Sequence, residues 1–162
     1  IAENLALADR RGKSRGLVKA LQKSNKADYR ERVKMLELGL EDRLETKMSL
    51  LSGGQRQAVS LLMATMSPLK ILLLDEHTSA LDPKTAEFVM SLTDKIIREK
   101  NLTALMVTHS LHQALKYGTR TIMLHEGRII FDVRGEERQS LTITDLLAKF
   151  GQEVDDDRLL MG

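Results

Sequence analysis

The chain has 162 residues, with 25 Lys+Arg against 23 Asp+Glu, a formal net charge of +2, 42% hydrophobic residues, 3% aromatic residues and no cysteine. That charge balance gives no bulk attraction to nucleic acid, the scarcity of aromatics disfavours base stacking, and the lack of cysteine excludes disulfides, thiolate zinc sites and thiol catalysis. No apolar run approaches the roughly 18–20 residues of a membrane span and no signal-peptide pattern occurs, so the chain is expected to work in water; a start at Ile1 rather than Met suggests further sequence upstream.

Ile1 to Ala8 reads as a short apolar helix. Tyr29, Val33, Leu36 and Leu40 recur at helical spacing, with Gly39 placed to end that helix. Residues 10–34 hold ten Lys/Arg against Asp28 and Glu31. A solvated helical face and loop explains that stretch; a surface near acidic lipid head groups is the sharper alternative. Ser52 opens a helix running to about Met66, and Pro68 marks its end. Ile71-Leu72-Leu73-Leu74 is a continuous apolar run, the pattern of a parallel strand buried on both faces. Asp82-Pro83 reads as an N-cap followed by Pro at the first helical position, and the helix beyond buries Val89, Leu92 and Ile96. Thr103 to Thr108 predicts a second buried strand. Ser110 starts a helix that Gly118 ends. Thr121–Leu124 and Arg128–Val133 flank Glu126-Gly127 as an antiparallel hairpin. Residues 143–150 form a last short helix, and Asp155 to Asp157 begin an acidic tail. Strand, helix, strand, helix is the rhythm of a parallel α/β sheet.

Three constellations carry chemistry. Ser52-Gly53-Gly54-Gln55 lies at a helix start, where glycines admit close backbone approach and unpaired N–H groups favour an anion. As pure structure, Ser52 and Gln55 are a capping box that satisfies the helix's own end. Asp75-Glu76 follows the first buried strand, at the strand edge where α/β sheets bind ligands. Asp75 there can hold Mg²⁺, and Glu76 can polarise a water for attack on a phosphate; a solvated turn is the bland alternative. His109 follows the second buried strand and could donate to a phosphate. His77, His112 and His125 read as structural. Ser110-Leu111-His112-Gln113 forms a further capping box.

The order L-S-G-G-Q, then I-L-L-L-D-E-H-T-S-A-L-D, then V-T-H-S resembles the ATP-binding cassette (ABC) family of ATPases over nearly the whole chain. L-S-G-G-Q looks like the family's signature motif, Ile71 to Glu76 like Walker B with its glutamate, Ser79 to Asp82 like the D-loop, and His109 like the switch histidine. The resemblance implies a partial P-loop NTPase fold of α/β class, with a helical signature subdomain over 1–66. Residues 67–162 would be the C-terminal part of a RecA-like core, with parallel strands and a C-terminal antiparallel hairpin. It implies ATP and Mg²⁺ as cofactors: Asp75 coordinating Mg²⁺, Glu76 orienting the attacking water, His109 contacting the γ-phosphate. Ser52, Gly53, Gly54 and Gln55 would meet ATP held by a second nucleotide-binding subunit, with Ser79 and Asp82 signalling across that dimer. Transmembrane permease subunits would be the other partners, at the cytoplasmic face of the inner or plasma membrane, with no nucleic acid. S-A-L-D, the short C-terminal region and the lack of a fused span favour an importer. A soluble ABC ATPase acting on ribosomes or DNA, and a non-catalytic interaction remnant, are the rival readings.

The pattern G-x-x-x-x-G-K-[ST] that cradles phosphates is absent. Gly12-Lys13-Ser14 would need its first glycine at Leu7 and follows no strand, so it reads as a basic loop. The chain thus resembles the C-terminal portion of a nucleotide-binding domain and is expected not to bind ATP tightly alone. Apolar sheet surface is then expected to lack neighbouring strands and favour self-association. His77 stands where the family usually has Pro, and Ala58 and Met63 where transport ATPases commonly carry Arg.

Overall fold

Tight apolar packing among α-helices builds the larger part of the described chain. The computed structural model describes residues 1–11, 23–149 and 151. Gly12-Lys13-Ser14 and Asp155 to Asp157 lie outside the described residues. Two compact units divide the chain, Ile1–Val107 and the residues from Thr108 onward.

In the first unit, α1 (Ala2–Asp9) buries Leu5, Ala6 and Ala8. Its start is pinned by the Ile1 amino group donating to the Thr46 carbonyl at 2.7 Å and by Ala2 N–H donating to Leu44 at 2.9 Å. Helix α2 (Lys23–Lys34) buries Tyr29 and Val33. It ends at Lys34, not at Gly39 as the spacing predicted. Leu36 N–H donates to Val33 and Glu37 N–H to Lys34, and Glu37 takes a left-handed φ of 57°. Tight turns therefore carry Leu36 and Leu40 into the same core, where both are buried. Apolar spacing alone does not separate a helix from a helix continued by such turns. Along α2 and the loop after it, Lys26 pairs with Glu45, Arg30 with Asp42, and Arg32 with Asp28. These exposed pairs contribute little, about 0–1 kcal/mol each.

Helices α3 (Gly53–Ala64) and α4 (Pro83–Glu99) supply the rest of the core. Ala58, Val59, Leu61 and Leu62 are buried along α3, and Val89, Met90, Leu92 and Ile96 along α4. At the far end, the Lys100 ammonium donates to the Thr65 carbonyl at 2.6 Å, capping α3 from outside. Burial lowers the pKa of that ammonium.

Strand β1 (Leu72–Asp75) pairs in parallel with β2 (Ala104–Val107), Leu72 opposite Ala104 and Asp75 opposite Val107. The expectation of two strands buried on both faces is corrected. Leu72 and Leu74 point into the core, whereas Leu73 is 67% exposed, Leu105 51% and Val107 50%. One face of this two-stranded sheet packs on helices; the other presents aliphatic side chains to solvent. An unbroken apolar run shows what a strand is suited to cover, not what lies against it.

The second unit contains α5 (Leu111–Lys116), β3 (Arg120–His125), β4 (Arg128–Arg134) and α6 (Gly135–Ser140), and residues 143–149 are helical. The antiparallel hairpin forms as expected. Glu126 (φ 47°) and Gly127 (φ 76°) both adopt the left-handed conformation that a two-residue hairpin turn requires. A bulge follows Met123, because Met123 opposes Phe131 while Leu124 opposes Ile129. Helix α6 was not expected from the sequence. Among the described residues, no helix is long and apolar enough to cross a membrane.

The two faces of β1 set a test. Leu74→Ala should lower the unfolding free energy by about 2–5 kcal/mol through lost burial and a residual cavity, whereas Leu73→Lys should stay within about 0.5 kcal/mol. Urea denaturation of the two variants measures the difference.

Candidate functional site

The start of α3 is built by its own side chains. Ser52 is extended (φ −63°, ψ 163°), and its Oγ accepts from Gln55 N–H at 3.2 Å. Gln55 Oε1 accepts from Ser52 N–H at 3.1 Å, completing the capping box. Arg56 Nη1 donates to the Leu51 carbonyl at 2.7 Å and clamps the chain just before the cap. The amides of Gly53 and Gly54 lie in the first helical turn, where no intrahelical acceptor exists. The helix dipole adds partial positive charge there.

The two glycines serve packing as well. A Cβ at Gly54 would lie 2.3 Å from Thr85 Cγ2, in the first turn of α4, and one at Gly53 would lie 2.9 Å from Leu81 Cδ2. The bare backbone at the start of α3 therefore packs directly against the side chains of Leu81 and Thr85. Asp82 caps α4, its Oδ1 accepting from Thr85 N–H at 3.1 Å with Pro83 following. Hydrogen bonds from Thr85 hold the Asp82 carboxyl below its ordinary range. The structure thus brings Ser52, Gly53, Gly54 and Gln55 beside the turn that carries Leu81 and Asp82. Sequence reasoning missed Leu81 and Thr85 as the surfaces the glycines fit, and Arg56 as a clamp.

Asp75 ends β1 and Glu76 follows it; both are exposed. Glu76 N–H donates to the Val107 carbonyl at 3.0 Å, continuing the ladder. Its φ of 41° is left-handed, a conformation costing a non-glycine residue about 1 kcal/mol. Ser79 N–H donates to the Glu76 carbonyl at 3.0 Å, which closes the turn leading to Asp82. His77 is half-buried, and its Nε2 meets Thr93 Oγ1 at 3.2 Å. The Thr93 hydroxyl donates to the Val89 carbonyl at 2.7 Å, so its oxygen accepts from His77. Burial lowers the pKa of this imidazole. His77 is a strut between the turn after Glu76 and α4, which supports its structural reading.

Among the described residues, no group of three or more His, Cys, Asp or Glu could hold a metal ion. Mg²⁺ keeps most of its waters and binds through one or two carboxylates together with substrate phosphates.

His109 belongs to the second unit, is exposed, and lies in the loop that leads into α5. The capping box expected at Ser110 forms only by half. Gln113 N–H donates to Ser110 Oγ at 3.3 Å, but Ser110 N–H donates to Thr108 Oγ1 at 3.0 Å instead of to Gln113. The Thr108 hydroxyl donates to Gln113 Oε1 at 2.9 Å. Thr108 intercepts the bond because it lies inside the loop, and the two residues flanking His109 are thereby tied to α5.

The sequence profile of the family described as "ABC transporter" matches residues 2–79. The chain is 50% identical over 155 residues to the tyrosine transport ATP-binding protein of Clostridioides difficile (strain R20291), covering 95% of this chain and 61% of that protein. It is 37% identical over 129 residues to the methionine import ATP-binding protein MetN 2 of Bacillus anthracis, covering 75% of this chain and 38% of that protein. Among solved structures it is similar to a dimeric bacterial ABC transporter cassette, with a TM-score of 0.61 and 34% identity over 82% of this chain and 55% of that one. The chain thus spans only part of the length of each relative.

The glycine contact predicts a rescue. Gly54→Ala should destabilise the first unit by about 1–3 kcal/mol through overpacking against the stiff Thr85 side chain. Gly53→Ala should cost less, since Leu81 Cδ2 is the end of a flexible side chain. Thr85→Ser, which removes Cγ2, should restore most of the loss in the Gly54→Ala background; thermal unfolding of the double mutant reads this directly.

Proposed function

The chain belongs to the ABC transporter family, and from that membership we propose that it is part of the ATP-hydrolysing subunit of a membrane importer. The observation that carries the reading is the contact of Gly53 and Gly54 with Leu81 and Thr85. It joins an anion-favouring helix start to the turn that descends from Asp75 and Glu76. Relatives named for tyrosine transport and methionine import support a transporter over a ribosome- or DNA-directed ATPase.

In this reading, residues 1–66 present the signature and residues 67–162 supply the catalytic edge. Asp75 would hold Mg²⁺, which would supply positive charge for the phosphate oxygens. Glu76 orients the attacking water and accepts its proton. His109 donates to the γ-phosphate. Ser52, Gly53, Gly54 and Gln55 meet the ATP of a second nucleotide-binding subunit, and Ser79 and Asp82 face the same neighbour. Permease subunits at the cytoplasmic face of the membrane receive the resulting motion. In the free chain Ser52 Oγ accepts from the Gln55 backbone N–H and Gln55 Oε1 accepts from the Ser52 backbone N–H. The Ser52 hydroxyl and the Gln55 side-chain amide N–H would donate to a phosphate beside the glycine amides, their oxygens still accepting the capping bonds. Because the sequence contains no G-x-x-x-x-G-K-[ST] pattern, this chain by itself holds ATP weakly.

ATP hydrolysis by the 162-residue chain, and by a form extended upstream to include a phosphate-cradling loop, tests the proposal. The extended form should hydrolyse ATP, and Glu76→Gln should slow it by about 10²-fold or more. Hydrolysis that survives the substitution removes Glu76 from its role. Tight ATP binding by the 162-residue chain overturns the weak-binding reading. Co-purification with ribosomes instead of a permease would replace the transporter assignment.

A further inference from the structure

Among the described residues of the second unit one cation is buried, and its guanidinium meets the helix that follows His109. Arg138, in α6, is only 8% exposed. Its Nη2 donates to three carbonyls of the α5 C-terminal turn: Ala114 at 3.1 Å, Leu115 at 2.9 Å and Tyr117 at 2.5 Å. Its Nε donates to Thr121 Oγ1 at 2.9 Å, and the Thr121 hydroxyl in turn donates to Ala114 at 2.9 Å. A six-residue helix buries none of its own side chains here and would be marginal alone. Positive charge at its C-terminal carbonyls satisfies the orphan acceptors and complements the dipole.

The other end of α5 is tied to the histidine loop. Ser110 caps it, Ala114 N–H donates to the Ser110 carbonyl at 3.0 Å, and Thr108 bonds both Ser110 N–H and Gln113. His109 lies between Thr108 and Ser110. We infer that Arg138 is a positioning residue for His109: its guanidinium fixes the α5 C-terminus, α5 fixes Thr108 and Ser110, and these hold the backbone on either side of His109. Its importance for hydrolysis rests on the role given to His109 above; the positioning itself does not.

The test separates the two. In the 162-residue chain, NMR follows the His109 ring signals, the amide exchange of Ala114 and Tyr117, and the cross-strand contacts between Met123 and Phe131. Arg138→Met should move the His109 ring signals toward those of an unstructured histidine and speed exchange at Ala114 and Tyr117 by about tenfold or more. The hairpin contacts should persist. Arg138→Lys, which keeps the charge but loses the fork, should fall between wild type and Arg138→Met. Arg120→Ala, which breaks the exposed Arg120–Asp132 pair, should leave His109 unmoved. Faster exchange in α5 with unchanged His109 signals would overturn the inference and leave Arg138 as a cap only. If Arg138→Met unfolds the hairpin, Thr121→Val decides: a shift at His109 supports the inference, and none overturns it. A His109→Ala form of the extended protein that hydrolyses ATP normally would overturn the catalytic reading and leave the positioning intact.

Discussion

The first turn of α3 lies so close to the first turn of α4 that residue 54 has no room for a methyl group. Much of the first unit follows from that approach. It sets where Ser52 and Gln55 stand relative to Asp82, and it lets Val59 and Leu62 share a core with Leu92 and Ile96. Glycine loses more conformational freedom on folding than any other residue. Here the close helix contact offsets that loss, and the same bare backbone leaves amides open at a positive helix end.

Side-chain capping recurs throughout. Ser52, Asp82 and Ser110 each accept a hydrogen bond from the third residue of the helix they precede. Lys100 and Arg138 reach carbonyls at helix C-termini from neighbouring segments. The functional turns thus begin from helix ends already satisfied by short side chains. Such ends are rigid without being deeply buried. Glu76 is held differently: its backbone extends the β1–β2 ladder and then turns left-handed, so that Ser79 can close on it.

How far the sequence could be read varies with the physics of each element. Local signals were reliable where one residue type has one use. Asp82-Pro83 marks a helix start because Pro lacks the N–H that a first turn wastes. Glu126-Gly127 marks a hairpin because both positions need a positive φ. Periodicity misled at α2, since Leu36 and Leu40 keep helical spacing while leaving the helix. Composition misled at β1 and β2, whose apolar residues promise two covered faces although Leu73, Leu105 and Val107 are exposed. Helix α6, with Arg138, carried no signal: an arginine in a polar run reads as surface, and only the folded hairpin encloses it.

The sequence by itself determined the chemical inventory: a Ser-Gly-Gly-Gln helix start, an Asp-Glu pair after an apolar strand, a histidine after a second, and the order that identifies the family. Each of these is a local choice of residue, readable because neighbours along the chain decide it. The tertiary structure alone decided that Gly54 fits Thr85, that Thr108 takes the bond expected of Gln113, and that a buried Arg138 grips α5 from 21 to 24 residues away along the chain. Those outcomes depend on which segments meet in space, and no spacing within one segment encodes the partner it will find.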